Sequence, residues 1–238
     1  MQPDGVLPDK ETINYAIDLI KNRNTSKPYL LAVGFHKPHI PLKYPHRYLS
    51  WSLGENGLWA KYSNFDVALK VPLLFKIPNK PPKSISTPVE LVDIFPTLLE
   101  LAGLEPLNSC KDYKSNQCLD GKSLVPLMSN KPNKHQSTNF AISQYPRPSE
   151  HTVNNSDKPR LKDIRIMGYS IRTKRYRYTE WISFNHTTFS RNWNKVYGIE
   201  LYDHTVDDDE SNNVYNVHKY KNVRIKLSKL LRTQVDLQ

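Results

Sequence analysis

The sequence predicts an α/β domain followed by a smaller α+β domain that contains an antiparallel sheet. The first part of the chain alternates helical patterns with continuous apolar segments, which is typical of helices beside a buried parallel sheet. The part after residue 131 holds several strand patterns with short connections, which favour an antiparallel meander. We therefore divide the chain into residues 1–131 and 132–238.

The first helix and strand form half of an α/β repeat. Asp9 is a suitable N-cap for a helix over about 10–22, in which apolar residues recur at helical spacing. Residues 29–33 are continuously apolar and predict a buried strand, and Gly34 permits a turn at its end. Residues 36–45 contain three prolines and are predicted to form a loop at the carboxyl end of that strand, where open α/β sheets bind ligands.

A second strand and helix follow. Residues 72–77 predict a strand, and Thr87 with Pro88 predicts the start of a helix that stops at Gly103. Pro96 is expected to kink or divide this helix, because proline removes a backbone donor. The predicted buried stripe of the helix is Leu91, Ile94, Phe95, Leu98 and Ala102.

The second domain is predicted to be an antiparallel meander closed by a helix. Its strands are expected over residues 140–144, 164–173, 175–184 and 200–202, where tyrosine and threonine raise the strand propensity. The last helix is expected over about 216–231, with Val223, Leu227, Leu230 and Leu231 on one face.

The net charge of the chain limits the classes of binding partner. The chain has 34 lysine and arginine residues against 23 aspartate and glutamate residues, a formal charge of +11. Such a charge attracts nucleic acid, acidic glycans or anionic membranes, although a basic surface without any such partner fits equally well. No stretch approaches the ~20 apolar residues that span a bilayer, and no module with stacking aromatics favours nucleic acid.

Three features bear on the cellular compartment. The N-terminus has neither the basic nor the apolar region of a signal peptide, which predicts a cytosolic chain. Cys110 and Cys118 lie in a polar loop and are consistent with a disulfide, with two free thiols or, less well, with zinc. Glycosylation sequons at Asn24, Asn154 and Asn185, together with the cysteine pair, instead point to a secretory origin.

Two segments carry residues suited to anion chemistry. His36 and Lys37 lie in the proline-stiffened loop, and a histidine there can both bind an oxyanion and donate a proton to a leaving oxygen. Lys61 follows a glycine-containing turn and offers a second cationic donor. A basic surface turn and a solvated lysine are the alternative interpretations of these two segments.

The chain resembles the sulfatase family, and in particular its iduronate branch. The runs His-Lys-Pro-His-Ile-Pro at 36–41 and Ser-Gln-Tyr-Pro-Arg-Pro-Ser at 143–149 are specific to that branch. Further matching residues lie at 31–35, 53–55, 59–67, 89–98, 166–173 and 200–203. The resemblance extends over nearly the whole chain.

The resemblance implies a partial alkaline-phosphatase-like large domain with a smaller C-terminal domain. It further implies a lysosomal calcium-dependent hydrolase that removes the 2-sulfate from terminal iduronate in heparan and dermatan sulfate. In the family, the residues that match His36 and Lys61 contact the sulfate being cleaved, and the pair Cys110 and Cys118 matches a disulfide.

Two parts of the family's catalytic machinery have no counterpart in these 238 residues. The family makes its formylglycine nucleophile from the cysteine of a Cys-x-Pro-x-Arg motif, which neither Cys110 nor Cys118 begins. Its calcium ligands come from an N-terminal aspartate pair and from an Asp-His-Gly turn, and Tyr48-Leu49-Ser50 stands where that turn is expected. Asn56 also replaces a histidine that is common in relatives.

We therefore expect an iduronate-type sulfatase sequence without turnover of its own, and whether the chain is an enzyme stays open. The alternative is a non-catalytic protein that binds sulfated glycans through His36, Lys37 and Lys61. We predict no metal ligands, and we interpret residues 203–204 and 207–210 as a solvated acidic loop.

Overall fold

In a computed structural model, the chain forms two compact units, Met1–Trp51 and Ser52–Gln238. The structure describes residues 8–24, 26, 31, 33–34, 52–53, 55–105, 107–110, 118–129, 140–153 and 157–236. None of the described helices is long and apolar enough to cross a membrane.

The described part of the first unit is mainly one helix, α1, over Pro8–Asn22. The sequence predicted this helix, and acidic residues in its first turn and Lys21 in its last suit the helix dipole. Leu31 and Val33 belong to neither a helix nor a strand, so the predicted strand over 29–33 is not seen at these two residues. Its other three residues lie outside the described part of the chain.

A four-stranded antiparallel sheet dominates the second unit, and its strands are neighbours in chain order, which confirms the predicted meander. Cross-strand pairing along the strand Tyr176–Asn185 places Arg177, Thr179 and Trp181 on one face and Tyr178, Glu180 and Ile182 on the other. The strands are β3 (Phe140–Arg147), β4 (Ile166–Thr173), β5 (Tyr176–Asn185) and β6 (Ser190–Asp203).

Helix α5, over Lys221–Asp236, packs against β4 and β5 and forms the main apolar core with them. It begins and ends about five residues later than its pattern predicted, but Leu227 and Leu231 are buried as expected. Glu180 of β5 is fully buried and accepts hydrogen bonds from Ser228 (2.6 Å) and Arg232 (2.7 Å) of α5. The core is therefore both apolar and joined by a satisfied carboxylate.

Shorter elements connect Ser52 to the sheet. Strands β1 (Ser52–Leu53) and β2 (Trp59–Ala60) form a small hairpin, and α2 (Asp66–Leu69) follows it. Helices α3 (Ile94–Leu101) and α4 (Val125–Met128) lie on either side of the cysteine loop in the sequence.

The predicted strand over 72–77 is wrong. Its residues alternate between exposed and half-buried, as a strand would, and Leu74 is 86% exposed. No described residue pairs with this segment, and a strand exists only when a neighbour completes its hydrogen bonds. The local pattern was strand-like, but the sheet that it requires is not present in the described part of the chain.

The helix predicted from Thr87 begins later and buries a different face. A 3₁₀ turn over Leu91–Asp93 precedes α3, and Glu90 and Asp93 form a capping box. Pro96 then falls in the first turn of α3, where a missing donor is tolerated. Gly103, with φ +69°, ends the helix as predicted.

The buried face of this region is polar. Asp93 and Thr97 are almost fully buried, whereas Leu91 and Phe95 of the predicted stripe are 60% and 53% exposed. The Asp93 carboxylate accepts from the backbone of Lys122 at 2.9 Å, and the Thr97 hydroxyl accepts from the backbone of Leu124 at 2.8 Å. Buried polar groups need such partners, so hydrogen bonding decides which face of α3 is covered.

Candidate functional site

Of the predicted anion contacts, the structure describes Lys61, while His36 and Lys37 lie outside the described residues. Lys61 is exposed and directly follows β2. The chain then turns, with the backbone of Ser63 donating to the carbonyl of Lys61 at 3.1 Å. The assignment of all three residues to a sulfate site stays a prediction.

Three consecutive residues after Lys61 anchor its segment to the sheet. Asn64 is buried and donates to the Gly168 carbonyl of β4 at 3.0 Å. The ring of Phe65 lies 4.4 Å from the guanidinium carbon of Arg177. The Asp66 carboxylate accepts from Arg172 at 3.0 Å. These contacts hold Lys61 at a defined place beside the sheet, three residues from a buried anchor.

A cluster of five charged or titratable side chains surrounds the contacts of Phe65 and Asp66. It consists of Asp66, Arg172, Arg177, His204 and Glu210. Arg177 and Glu210 are each 1% exposed and form an ion pair of 2.6 Å. The backbone of Asp66 donates to Glu210 at 2.8 Å, which links the segment after Lys61 to the loop after β6. The predicted solvated loop is thus wrong for Glu210 and for Asp203, which is also 1% exposed, while Asp208 and Asp209 are exposed as expected.

Hydrogen bonding fixes the tautomer of His204. An Arg172 N–H can only donate, so His204 Nδ1 accepts at 2.9 Å. His204 Nε2–H then donates to Glu210 Oε1, also at 2.9 Å. Burial alone would raise the pKa of Glu210, but the bonds from His204, Arg177 and the Asp66 backbone outweigh it and hold that pKa below its usual value.

The same cluster offers the one set of three possible metal ligands within the described residues. Ligand atoms of Asp66, His204 and Glu210 lie within 4.8 Å of one another. Calcium, however, prefers six to eight oxygen ligands. Here both carboxylates already pair with guanidinium groups, and both nitrogens of His204 are hydrogen-bonded. These residues therefore do not fit the calcium that the family resemblance implies.

Arg147, at the end of β3, lies across two aromatic rings. Its guanidinium carbon is 4.7 Å from the centroid of Tyr145 and 5.6 Å from that of Trp181. The Trp181 ring lies over Gly168, where a Cβ would come within 2.6 Å of the ring. Trp181 also donates to Glu200 at 2.7 Å. The arginine therefore rests on a support that is itself held in position.

This arginine platform, consisting of Tyr145, Arg147 and Trp181, is close to the segment of Lys61. Asn64 donates to the Gly168 carbonyl of β4 at 3.0 Å, and Gly168 pairs with Tyr145 of β3. Burial raises the pKa of Tyr145 to about 12, although Arg147 opposes the shift, and Asp157 and then Tyr62 add to it. Tyr62 is the residue after Lys61. The structure therefore brings together the two runs 59–67 and 143–149, which lie far apart in the sequence.

Arg147 is not among the site residues that the sequence predicted. It lies in the run 143–149 that is specific to one branch of the family, and that specificity was the available signal. Nothing in the local pattern could show that Trp181 would lie beside it.

The structure confirms the disulfide between Cys110 and Cys118, whose Cα atoms are 4.8 Å apart. A backbone bridge between Ser109 and Leu119 closes the base of this loop. Both cysteines of the chain are thus oxidised, and the interpretations as free thiols or zinc ligands are wrong.

Comparison with known proteins identifies the family. A family model described as N-sulphoglucosamine sulphohydrolase, C-terminal, matches residues 54–236. Iduronate 2-sulfatase of Homo sapiens is 31% identical over 350 aligned residues, which take in 90% of this chain and 63% of that protein. Iduronate 2-sulfatase of Mus musculus is 29% identical over 346 aligned residues, with the same two shares.

The chain therefore spans less than two thirds of the curated relatives that it matches. The span aligned with the human protein is 350 residues long, while the chain has 238 in all. That protein thus carries more than a hundred residues within the span that have no counterpart here.

A solved structure described as a 2-O GAG sulfatase is 21% identical, with a TM-score of 0.38, and the match covers 60% of this chain and 24% of that one. At this score the likeness carries no argument about this chain. The family model does, because it covers well over half of the chain, including the whole four-stranded sheet and α5. The predicted fold class is confirmed, and the chain belongs to the sulfatase family.

Proposed function

We propose that this chain is an iduronate 2-sulfatase-type polypeptide that recognises sulfated glycosaminoglycan and, as these 238 residues alone, does not hydrolyse sulfate esters. One observation carries the second half of the proposal. A sulfatase of this type needs a cysteine as the precursor of its nucleophile, and both cysteines of this chain are joined in a disulfide.

The proposed ligand is heparan or dermatan sulfate, bound through His36, Lys37 and Lys61. The similarity to two iduronate 2-sulfatases and the formal charge of +11 support this class of ligand. Lys61 supports it structurally, because it is exposed while the residues just after it are anchored in the sheet. A lysosomal location and glycosylation at the sequons belong to the same proposal.

We further propose that the residues missing from the aligned span separate His36 from Lys61 in the longer relatives. The two residues are only 25 positions apart here, and the turn that is expected to supply calcium ligands has no counterpart between them. Calcium, when bound in a sulfatase, neutralises the sulfate and the nucleophile. In this chain, the proposed role of His36 and Lys61 is limited to holding the sulfate.

The test of this proposal is a turnover assay on the purified full chain. With 4-methylumbelliferyl iduronate 2-sulfate and calcium, we expect no fluorophore release above that of buffer. The matched control is the variant His36→Ala/Lys61→Ala, which exposes contaminating activity because it would show the same release. Release by the chain that this variant abolishes would contradict the proposal.

A further inference from the structure

Arg147 differs from the other arginines of the sheet in its partners. Arg172 and Arg177 of the sheet, and Arg175 in the turn between β4 and β5, each bind a carboxylate at 3.0 Å or less. Arg191 of β6 lies 3.9 Å from the carboxylate of Asp236. Within the described part of the chain, Arg147 pairs with no carboxylate, and the contacts found for its guanidinium are the two aromatic rings. The exposed Asp157 is near enough to act on the pKa of Tyr145 but forms no ion pair with Arg147, so this half-buried guanidinium is able to take an anion that comes from outside.

Stacking leaves this arginine ready to bind. Aromatic rings contact the face of a guanidinium group, while its N–H groups point outward in the plane. That edge can donate two parallel hydrogen bonds to a carboxylate, whose two oxygens match the spacing of the fork. Because Trp181 is held by Glu200 and by its fit over Gly168, Arg147 loses little rotamer freedom when an anion binds.

The position of the platform indicates which anion it meets. Asn64, three residues after Lys61, donates to the Gly168 carbonyl at 3.0 Å, and Gly168 pairs with Tyr145 on one side and with Trp181 on the other. The segment that carries Lys61 is therefore fixed to the strand that lies between the two rings under Arg147. Lysine is a compact donor that suits a tetrahedral sulfate, and the fork of arginine suits a planar carboxylate. One sugar ring that bears both groups offers a matching anion to each of the two cations.

We propose that Arg147 binds the carboxylate of a sulfated uronic acid whose sulfate is held at Lys61. The inference rests on the proposed function, since that function supplies the sulfated glycan. It adds a specificity residue, by which the chain distinguishes a sulfated uronate from a sulfated neutral or amino sugar.

The experiment uses the full chain with a size-defined heparin tetrasaccharide and its carboxyl-reduced counterpart, which keeps the sulfates. The measured quantity is the ratio of the two dissociation constants, determined by isothermal titration calorimetry. We expect about a tenfold preference for the native tetrasaccharide, the size of one charge-assisted contact. Arg147→Gln should remove the preference by weakening only the native probe.

The matched control is Arg160→Gln, which removes the same charge from a side chain that is 74% exposed. It should leave the ratio of the two dissociation constants unchanged, because the loss of an exposed charge that contacts no carboxylate of the glycan weakens both probes equally. Arg147→Lys keeps the charge but not the planar fork, so it should also lose the preference. Thermal melting of each variant shows whether it folds, and the lysine variant provides the measurement if the glutamine variant does not.

Three outcomes separate the two proposals. Equal affinity of the chain for both probes would overturn the role of Arg147 and leave glycan recognition intact. Equal weakening of both probes by Arg147→Gln would show that the arginine contacts sulfate, which also overturns that role. Failure of the chain to bind either probe would overturn the proposed glycan recognition and the inference with it.

Discussion

Glu210 joins three segments of the chain that are far apart in the sequence. Its carboxylate accepts from Arg177 in β5, from His204 just after β6 and from the backbone of Asp66 after the hairpin. The Arg177–Glu210 pair is almost fully buried, so neither charge can be hydrated if the other is lost. Breaking such a pair costs much more than removing an ion pair from the surface.

We therefore expect Glu210→Gln to lower the free energy of unfolding by about 3 kcal/mol at neutral pH, because the buried Arg177 then keeps only the more distant carboxylate of Glu200, at 3.6 Å, as its counter-charge. Urea denaturation measures the change. Asp209→Asn, which removes one acidic charge from an exposed site in the same loop, should change it by no more than about 0.5 kcal/mol.

The effect of Glu210→Gln should also depend on pH. A carboxyl group whose pKa is lowered by folding stabilises the protein above its ordinary pKa and loses that contribution as the pH falls through the folded value. The difference between the two proteins should therefore shrink in acid. Equal stability of the two proteins at neutral pH would show that the cluster does not hold these segments together.

At the scale of elements, the sequence predicts those helices and strands whose formation depends on the local residue pattern. The meander β3–β6 was predictable because strand propensity, alternation and short connections agree along the sequence. Strand 72–77 was not, because pairing depends on a partner from elsewhere in the chain. The buried face predicted for α3 was wrong because Asp93 and Thr97 hydrogen-bond to the backbone of residues 122–124. The spacing of apolar residues along a helix carries no information about such long-range bonds.

The residues of the candidate site differ in the same way. Lys61 was selected from its own neighbourhood and lies beside a firmly anchored turn. Arg147 was missed because its support comes from Trp181 on another strand, through a register that only the folded sheet defines. His36 and Lys37 are not described, so their part of the prediction is still to be tested.

Helix α5 should contribute to stability mainly through its buried stripe. Leu231 is fully buried between the helix and the sheet, so Leu231→Ala should cost about 3 kcal/mol through lost contacts and the cavity that remains. Ile225→Ala on the same helix, at 56% exposure, should cost less than about 1 kcal/mol. Urea denaturation compares the two variants, and equal losses would mean that α5 is not part of the cooperative core.

At the scale of the whole molecule, the unit Ser52–Gln238 has exposed apolar side chains outside the core that the sheet and α5 form. Leu74, Leu91, Phe95 and Leu104 are all more than half exposed. All four precede the four-stranded sheet in the sequence, in the region whose predicted strand has no partner within the described residues. The aligned span of the human relative holds more than a hundred further residues, and we expect some of them to cover this surface in that protein.

An uncovered apolar surface of this kind promotes association. We expect the purified chain to self-associate as its concentration rises, and sedimentation velocity would measure this. Leu91 lies in the 3₁₀ turn before α3 and Phe95 in the first turn of α3, and both are exposed, so Leu91→Ser/Phe95→Ser should reduce association without lowering the melting temperature. Val206→Ser, at an isolated side chain that is 75% exposed after β6, should change neither quantity. If the unaltered chain stays monomeric at every concentration, these side chains do not form a self-association surface. The further residues of the relatives would then not be needed to cover them.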